Sequence, residues 1–233
     1  MKIKQKVKVH GVFRSGTNLA KYVLLDQFDC EVAFNESGHK HLPFPYLTND
    51  SLNSNLPVVV CLKNPIANLV SLFKYAQSVG FLHFECGRDW DEFIRERFII
   101  RMNADPSQAA HRFNNPIDYW NSFYYNALSL PAARTFVMKY EDLLAQPHQQ
   151  VDRLHAQFPQ FKRVASSFQL PKSVMARSKD GDGLDDLVTA SRFEGEDFYL
   201  GREYLKNFNQ EQMNWLRQNL DRQVMNWAGY QIF

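Results

Sequence analysis

One segment near the start of the chain, Gly11-Val12-Phe13-Arg14-Ser15-Gly16-Thr17-Asn18, restricts the fold more than any other. It follows an alternating run, Lys6-Val7-Lys8-Val9-His10, that predicts a β-strand over Val7 to Val12. It opens an apolar-periodic run that predicts a helix over Thr17 to Gln27. A strand, a glycine turn and a helix start make an anion site. The first backbone N–H groups of a helix have no internal partner, and the helix dipole adds partial positive charge there.

Nucleotide kinases and ATPases carry Gly-x-x-x-x-Gly-Lys-Ser/Thr at such a turn. This chain has the glycine frame, Gly11 and Gly16, but Thr17 stands where the lysine belongs and Arg14 lies inside the loop. The loop suits a phosphate but lacks the cation that manages the outer phosphates of a nucleoside triphosphate.

The rest of the chain reads as a single domain over residues 1–233 built by alternation of strands and helices. Strands are predicted at Val7 to Val12, Cys30 to Phe34, Val58 to Leu62 and Thr135 to Lys139. Helices are predicted at Thr17 to Gln27, Ile66 to Gln77, Trp90 to Met102, Ile117 to Leu128, Gln149 to Phe158 and Gln210 to Trp227. The run Val58-Val59-Val60-Cys61-Leu62 is wholly apolar, as expected of a parallel strand covered on both faces. The pattern predicts an α/β fold, a P-loop-like three-layer sandwich whose central, mostly parallel sheet is flanked by helices. Ligands in such sheets sit at the carboxyl ends of the strands, where the glycine loop lies.

Composition excludes several classes. With 45% hydrophobic residues the chain has enough apolar surface to fold, and a net charge of +2 argues against a general nucleic-acid binder. The basic start, Met1 to Lys6, is not followed by an apolar stretch of signal-peptide length, and Leu56 to Leu62 is too short to span a bilayer. The expectation is a cytoplasmic protein without a membrane span. Cys30, Cys61 and Cys86 form no disulfide framework and no Cys-x-x-Cys. His39 with His41, or His83 with Cys86, supplies two metal ligands but no third, so no metal is expected. The segment Lys162 to Asp197 has weak periodicity and reads as a surface segment or lid. Its stretch Asp180-Gly181-Asp182-Gly183-Leu184-Asp185-Asp186 starts like a calcium loop, but Leu184 takes a ligand position and no glutamate closes it. The aromatic helix Tyr119-Trp120-Asn121-Ser122-Phe123-Tyr124-Tyr125 presents Ile117, Trp120, Tyr124 and Leu128 on one face and reads as core.

Two further elements sit at predicted strand ends. Lys63-Asn64-Pro65 follows the third strand, and Ser71 lies about two turns into the next helix, so a cation and a hydroxyl converge. Thr135 to Lys139 runs directly into Tyr140-Glu141-Asp142 and a new helix, which puts Tyr140 at the strand's carboxyl end, where a ring can stack on a base.

Taken in order, these three elements resemble the sulfotransferases that use 3′-phosphoadenosine 5′-phosphosulfate (PAPS). Arg14-Ser15-Gly16-Thr17-Asn18 is similar to the family's 5′-phosphosulfate loop, Lys63-Asn64-Pro65 with Ser71 to its Arg-Asn-Pro 3′-phosphate element, and Tyr140-Glu141-Asp142 to its Tyr-Glu-Asp strand end. Tyr199-Leu200-Gly201-Arg202-Glu203-Tyr204-Leu205 resembles the C-terminal part of bacterial-type members. Two positions depart from the pattern. Lys63 replaces the usual arginine and its planar fork, and Leu19 stands where many members carry a tryptophan against the adenine.

The resemblance implies roles. Arg14 would contact the sulfonate or bridging oxygen, while Ser15, Gly16, Thr17 and Asn18 cradle the 5′-phosphate. Lys63 and Ser71 would read the 3′-phosphate, and Tyr140 would touch the adenine. His41-Leu42-Pro43 matches a His-Leu-Pro that supplies the general base in many members, with His39 and Glu36 as the lesser candidates. The donor would be PAPS without a metal, and the acceptor a small molecule or carbohydrate bound by the variable segments Glu85 to Asn115 and Lys162 to Asp197. The alternatives are a non-catalytic nucleotide-binding protein of the same fold and a P-loop kinase. Nothing in the sequence fixes the acceptor or the oligomeric state.

Overall fold

The structure is a computed structural model that describes residues 4–34, 39–43, 55–101, 110–171 and 195–231. Four parallel strands form the main sheet: β1 (Gln5–His10), β2 (Cys30–Ala33), β3 (Val58–Leu62) and, after the intervening elements, a last strand at Thr135–Lys139, in the order β2-β1-β3-last. Helix α1 (Thr17–Gln27) connects β1 to β2, and α2 (Pro65–Ser78) leaves β3. A smaller antiparallel sheet follows, made of β4 (Phe84–Glu85), β5 (Phe98–Ile100) and β6 (His111–Phe113), with α3 (Trp90–Arg95) between the first two. The chain continues through α4 (Pro116–Leu128) to that last strand, β7, then α5 (Tyr140–Ala145), α6 (Pro147–Gln157), α7 (Glu196–Leu200), α8 (Gln210–Asn219) and α9 (Arg222–Ala228).

The alternation of side chains along β3 divides the core. Val58, Val60 and Leu62 face one cluster, with Ile66 and Leu69 of α2 and Trp120 and Phe123 of α4. Val59 and Cys61 face the other, with Leu19, Val23 and Leu24 of α1 and Val151 and Leu154 of α6. Helices thus cover both faces, which is the three-layer sandwich the sequence predicts. Covering both faces also buries two polar residues of the β1 alternation: Lys8 and His10 are each 1% exposed, while Lys6 stays exposed. Lys8 donates its ammonium to the Phe34 carbonyl at 3.3 Å. His10 stacks on Phe123 with ring centroids 4.4 Å apart, and burial holds its imidazole well below the ordinary value.

Several expected boundaries move. The first strand ends at His10, not Val12, because the Gly11 N–H leaves the ladder to donate to the Lys40 carbonyl at 2.9 Å. The helix expected over Trp90 to Met102 stops at Arg95, and Phe98–Ile100 becomes the middle strand of the small sheet. The helix expected over Gln210 to Trp227 breaks at Leu220, whose backbone is extended, and Asp221 caps a new helix through the Val224 N–H. Glu36, Met102 and the aspartate-rich stretch 180–186 lie outside the described residues. Among the described residues, no helix is long and apolar enough to cross a membrane.

Candidate active site

Most longer helices here start under a polar cap. Asn64, Asn115, Asn209 and Asp221 each accept a backbone N–H at the start of α2, α4, α8 and α9. Helix α6 starts at Pro147 without one, and so does helix α1 at Thr17. Its N-cap is Gly16, in the left-handed region at φ 98°, with no side-chain cap. Its first N–H groups therefore point into the loop mouth, ready for an oxygen anion. The left-handed backbone of Gly16 and the neighbouring Arg14 (φ 68°) makes the turn tight. Both loop glycines also give essential space. A Cβ on Gly16 would lie 2.7 Å from the Tyr140 ring, and one on Gly11 would lie 2.7 Å from the Cys61 carbonyl oxygen.

The loop is gripped from the sandwich. The Phe13 N–H donates to the Tyr119 hydroxyl at 3.1 Å, and the Asn68 amide donates to the Phe13 carbonyl at 3.0 Å. Arg14 projects outward, with its guanidinium 5.1 Å from the centre of the Tyr75 ring. At the helix end of the loop, Asn18 accepts a hydrogen bond from the Lys40 ammonium at 3.3 Å. Burial, with Lys21 nearby, lowers the Lys40 ammonium to about 8.

His41 sits against the loop entrance. Its Nδ1 lies 2.7 Å from the Gly11 carbonyl oxygen. A carbonyl only accepts, so Nδ1 carries the proton and Nε2 keeps its lone pair. The ring stacks on Phe13 at 4.2 Å, and the Tyr119 hydroxyl donates to the His41 carbonyl. Burial, with Lys40 beside it, holds the imidazole well below its ordinary value, although the Gly11 hydrogen bond opposes the shift. His41 is therefore neutral at physiological pH. His39 is neutral as well, pushed down to about 4 by burial and by Lys40, and its Nδ1 accepts the His41 backbone N–H at 3.2 Å.

The third strand brings Lys63 to the same place. Its ammonium donates to the Arg14 carbonyl and to Ser71 Oγ, both at 3.3 Å. Two aromatic faces enclose it, Tyr140 at 4.1 Å and Tyr199 at 3.8 Å from the ring centres. Burial lowers its ammonium, with Tyr199 acting in the opposite direction. Asn64 is fixed through its N–H, which donates to the Glu141 carboxylate at 2.9 Å. The other oxygen of that carboxylate accepts from the Tyr230 hydroxyl at 2.7 Å. Leu19 is buried in the core beside α1.

The structure thus brings Arg14 to Asn18, His41, Lys63, Ser71 and Tyr140 to one end of the parallel sheet. Tyr140 lies beneath the loop, with its ring against Gly16 and the Lys63 ammonium and only 8% exposed. Sequence reasoning missed three participants. Tyr119 is buried in the core, yet its hydroxyl ties the loop to the His41 segment. Glu141 joins two motifs across the sheet. Tyr199 comes from far along the chain to reach Ser71, its hydroxyl 2.9 Å from Ser71 Oγ. Among the described residues, no group of three or more His, Cys, Asp or Glu is placed to hold a metal ion.

Comparison with known proteins adds a family. A sequence profile described as a sulfotransferase domain matches residues 22–162, a span that includes Lys63, Ser71 and Tyr140 and starts after the glycine loop. A comparison with curated proteins returns no match. Among solved structures, the crystal structure of mouse sulfotransferase SULT7A1 complexed with PAP is similar at a TM-score of 0.49 and 11% identity, over 94% of this chain and 84% of that one.

Proposed function

The chain belongs to the sulfotransferase domain family, and on that premise we propose that it moves a sulfuryl group from PAPS to a hydroxyl or amine of a small-molecule or carbohydrate acceptor. The transfer is an in-line displacement. An acceptor lone pair forms the new bond to sulfur, the bond from sulfur to the bridging phosphate oxygen breaks, and its electrons remain on the leaving phosphate.

Each side chain has a task in this reading. His41 Nε2, the ring nitrogen left with its lone pair by the Gly11 hydrogen bond, takes the acceptor's proton. A neutral imidazole is the required form, and burial keeps it neutral. Arg14 neutralises charge that gathers on the leaving oxygen. The N–H groups of Ser15, Gly16, Thr17 and Asn18 hold the 5′-phosphate at the uncapped start of α1. Lys63 and Ser71 bind the 3′-phosphate, and Tyr140 backs the nucleotide site through the ring beneath Gly16. The residues fit a doubly phosphorylated adenosine in one specific respect: the 3′ pair and the 5′ loop are adjacent.

The observation that carries the reading is the Lys63 ammonium, which touches the loop at the Arg14 carbonyl and the second motif at Ser71, each at 3.3 Å. The test is a thermal-shift series with adenosine 3′,5′-bisphosphate in chelator, adenosine 5′-monophosphate, and ATP with Mg²⁺, followed by an acceptor screen with labelled donor. Stabilisation by the bisphosphate without metal, and label transfer to an acceptor, is the expected result. Preference for ATP with Mg²⁺ would overturn it in favour of a kinase. Bisphosphate binding with no transfer to any acceptor would leave a nucleotide-binding protein without catalysis.

A further inference from the structure

The groups assigned to the 3′-phosphate already hold an oxygen. Ser71 Oγ donates to the Ala67 carbonyl at 3.0 Å and receives the Lys63 ammonium at 3.3 Å. The Tyr199 hydroxyl, 2.9 Å away, donates to the same oxygen, and the Tyr199 ring lies against the Lys63 ammonium, 3.8 Å from its centre. The phenol therefore fills the place a phosphate would take, with its oxygen on the Ser71 hydroxyl and its ring over the Lys63 cation. The surrounding rings seal it. Tyr140 and Tyr199 pack edge to face at 4.9 Å, Lys63 is 2% exposed and Ser71 is 9% exposed. No anion reaches Lys63 while Tyr199 stays where it is.

We propose that Tyr199 is a tethered stand-in for the 3′-phosphate, which the 3′-phosphate of the donor displaces when it binds. The inference rests on the function proposed above and names the residue that sets the cost of donor recognition.

The exchange is chemically reasonable. The phenol gives up its hydrogen bond to Ser71, and its ring moves off the Lys63 ammonium. A phosphate dianion takes both positions as charge-assisted bonds, which are stronger than neutral ones. Ser71 must turn its proton away from the Ala67 carbonyl toward the phosphate, a rotation about one bond. Burial pushes the Tyr199 phenol up, but the charges of Lys63 and Arg14 oppose that and bring the phenol below its ordinary value, so the pocket already favours negative charge there. Helix α7 has a separate anchor. Phe198 packs on Tyr204 at 6.1 Å and lies under the Lys74 ammonium at 5.0 Å, so the Tyr199 ring can leave without the helix losing its hold.

The test is calorimetric, in buffer free of phosphate and sulfate, with wild-type protein and Tyr199→Phe. The variant keeps the ring and its packing and removes only the competing oxygen; its melting temperature checks that it is folded. Adenosine 3′,5′-bisphosphate should bind Tyr199→Phe roughly 3- to 10-fold more tightly than wild type, the equivalent of one hydrogen bond no longer broken, and adenosine 5′-monophosphate should bind both equally. Unchanged or weaker bisphosphate binding in the variant would overturn displacement, and a weaker value would make the hydroxyl a phosphate ligand. Equal changes for both nucleotides would also overturn it. If the bisphosphate is no tighter than the monophosphate in either protein, Lys63 and Ser71 do not read a 3′-phosphate at all, and the underlying assignment falls together with the stand-in.

Discussion

The two ends of the cleft proposed for the nucleotide are built from different materials. The 5′ end is backbone: the turn from Gly11 to Gly16 and the uncapped start of α1, held in place by Tyr119 and Asn68. The 3′ end is side chain: Lys63, Ser71, Tyr140 and Tyr199, each bonded or stacked to another. Backbone donors fixed by a helix stay aimed whatever is in front of them. Long side chains with strong donors instead satisfy one another, because a buried ammonium without partners is too costly to leave. The first end is therefore preorganised, whereas the second must trade one set of partners for another.

The difference is open to direct attack. The largest expected effect is at Arg14, whose side chain is exposed at the preorganised end: Arg14→Ala should lower kcat about 10³-fold with the melting temperature nearly unchanged. A rate within tenfold of wild type would take leaving-group stabilisation away from Arg14. Next is His41→Ala, with kcat down roughly 10²-fold and bisphosphate affinity kept. Full activity would pass the base to His39 or Glu36. Gly16→Ala puts a Cβ 2.7 Å from the Tyr140 ring on a backbone at φ 98°, and should cost about 1–3 kcal/mol in chemical denaturation. A neutral result would mean that the turn is less rigid than its grip by Tyr119 and Asn68 implies. At the adaptable end, Lys63→Met should weaken the bisphosphate about tenfold and the monophosphate much less. Equal losses would merge the two ends into one site.

The smallest effect concerns pH and stability. His10, His39 and His41 are all held below their ordinary value in the folded protein, mainly by burial. Below the unfolded value near 6.5 the unfolded chain binds protons that the folded one refuses, so stability falls with falling pH. For His39 the loss runs between about 6.5 and about 4. Thermal melts from pH 7.5 to pH 5 should show a steady decline, and a flat profile would contradict the buried neutral histidines.

The part of this architecture that could be read from sequence follows the same division. Gly11, Gly16, Thr17 and the strands Val58–Leu62 and Thr135–Lys139 carry local signals, and the latter two elements sit where their apolar runs put them. The small antiparallel sheet was hidden. Phe93, Ile94 and Phe98 fit a helical stripe, and only pairing with Phe84–Glu85 and His111–Phe113 decides that Phe98–Ile100 is a strand. The break at Leu220 was hidden too, because the apolar period runs past it on both sides, and the cap at Asp221 shows only in the structure. Tyr199 belongs to a stretch that the family resemblance picks out, but its meeting with Ser71 spans 128 residues and exists only in the fold.

One small attachment has a wide reach. The imidazole of His41 is mounted on the carbonyl of Gly11, the residue that opens the glycine turn, and the Gly11 N–H is bound in return to the carbonyl of Lys40. The two polar groups of a single residue thus register the imidazole against the glycine turn, and in the proposed function the proton acceptor against the phosphate cradle. A substitution in the acceptor surface that leaves these two bonds alone therefore leaves the imidazole aimed as before, whereas one at Phe98 or Phe113, which pack on Tyr119, reaches it.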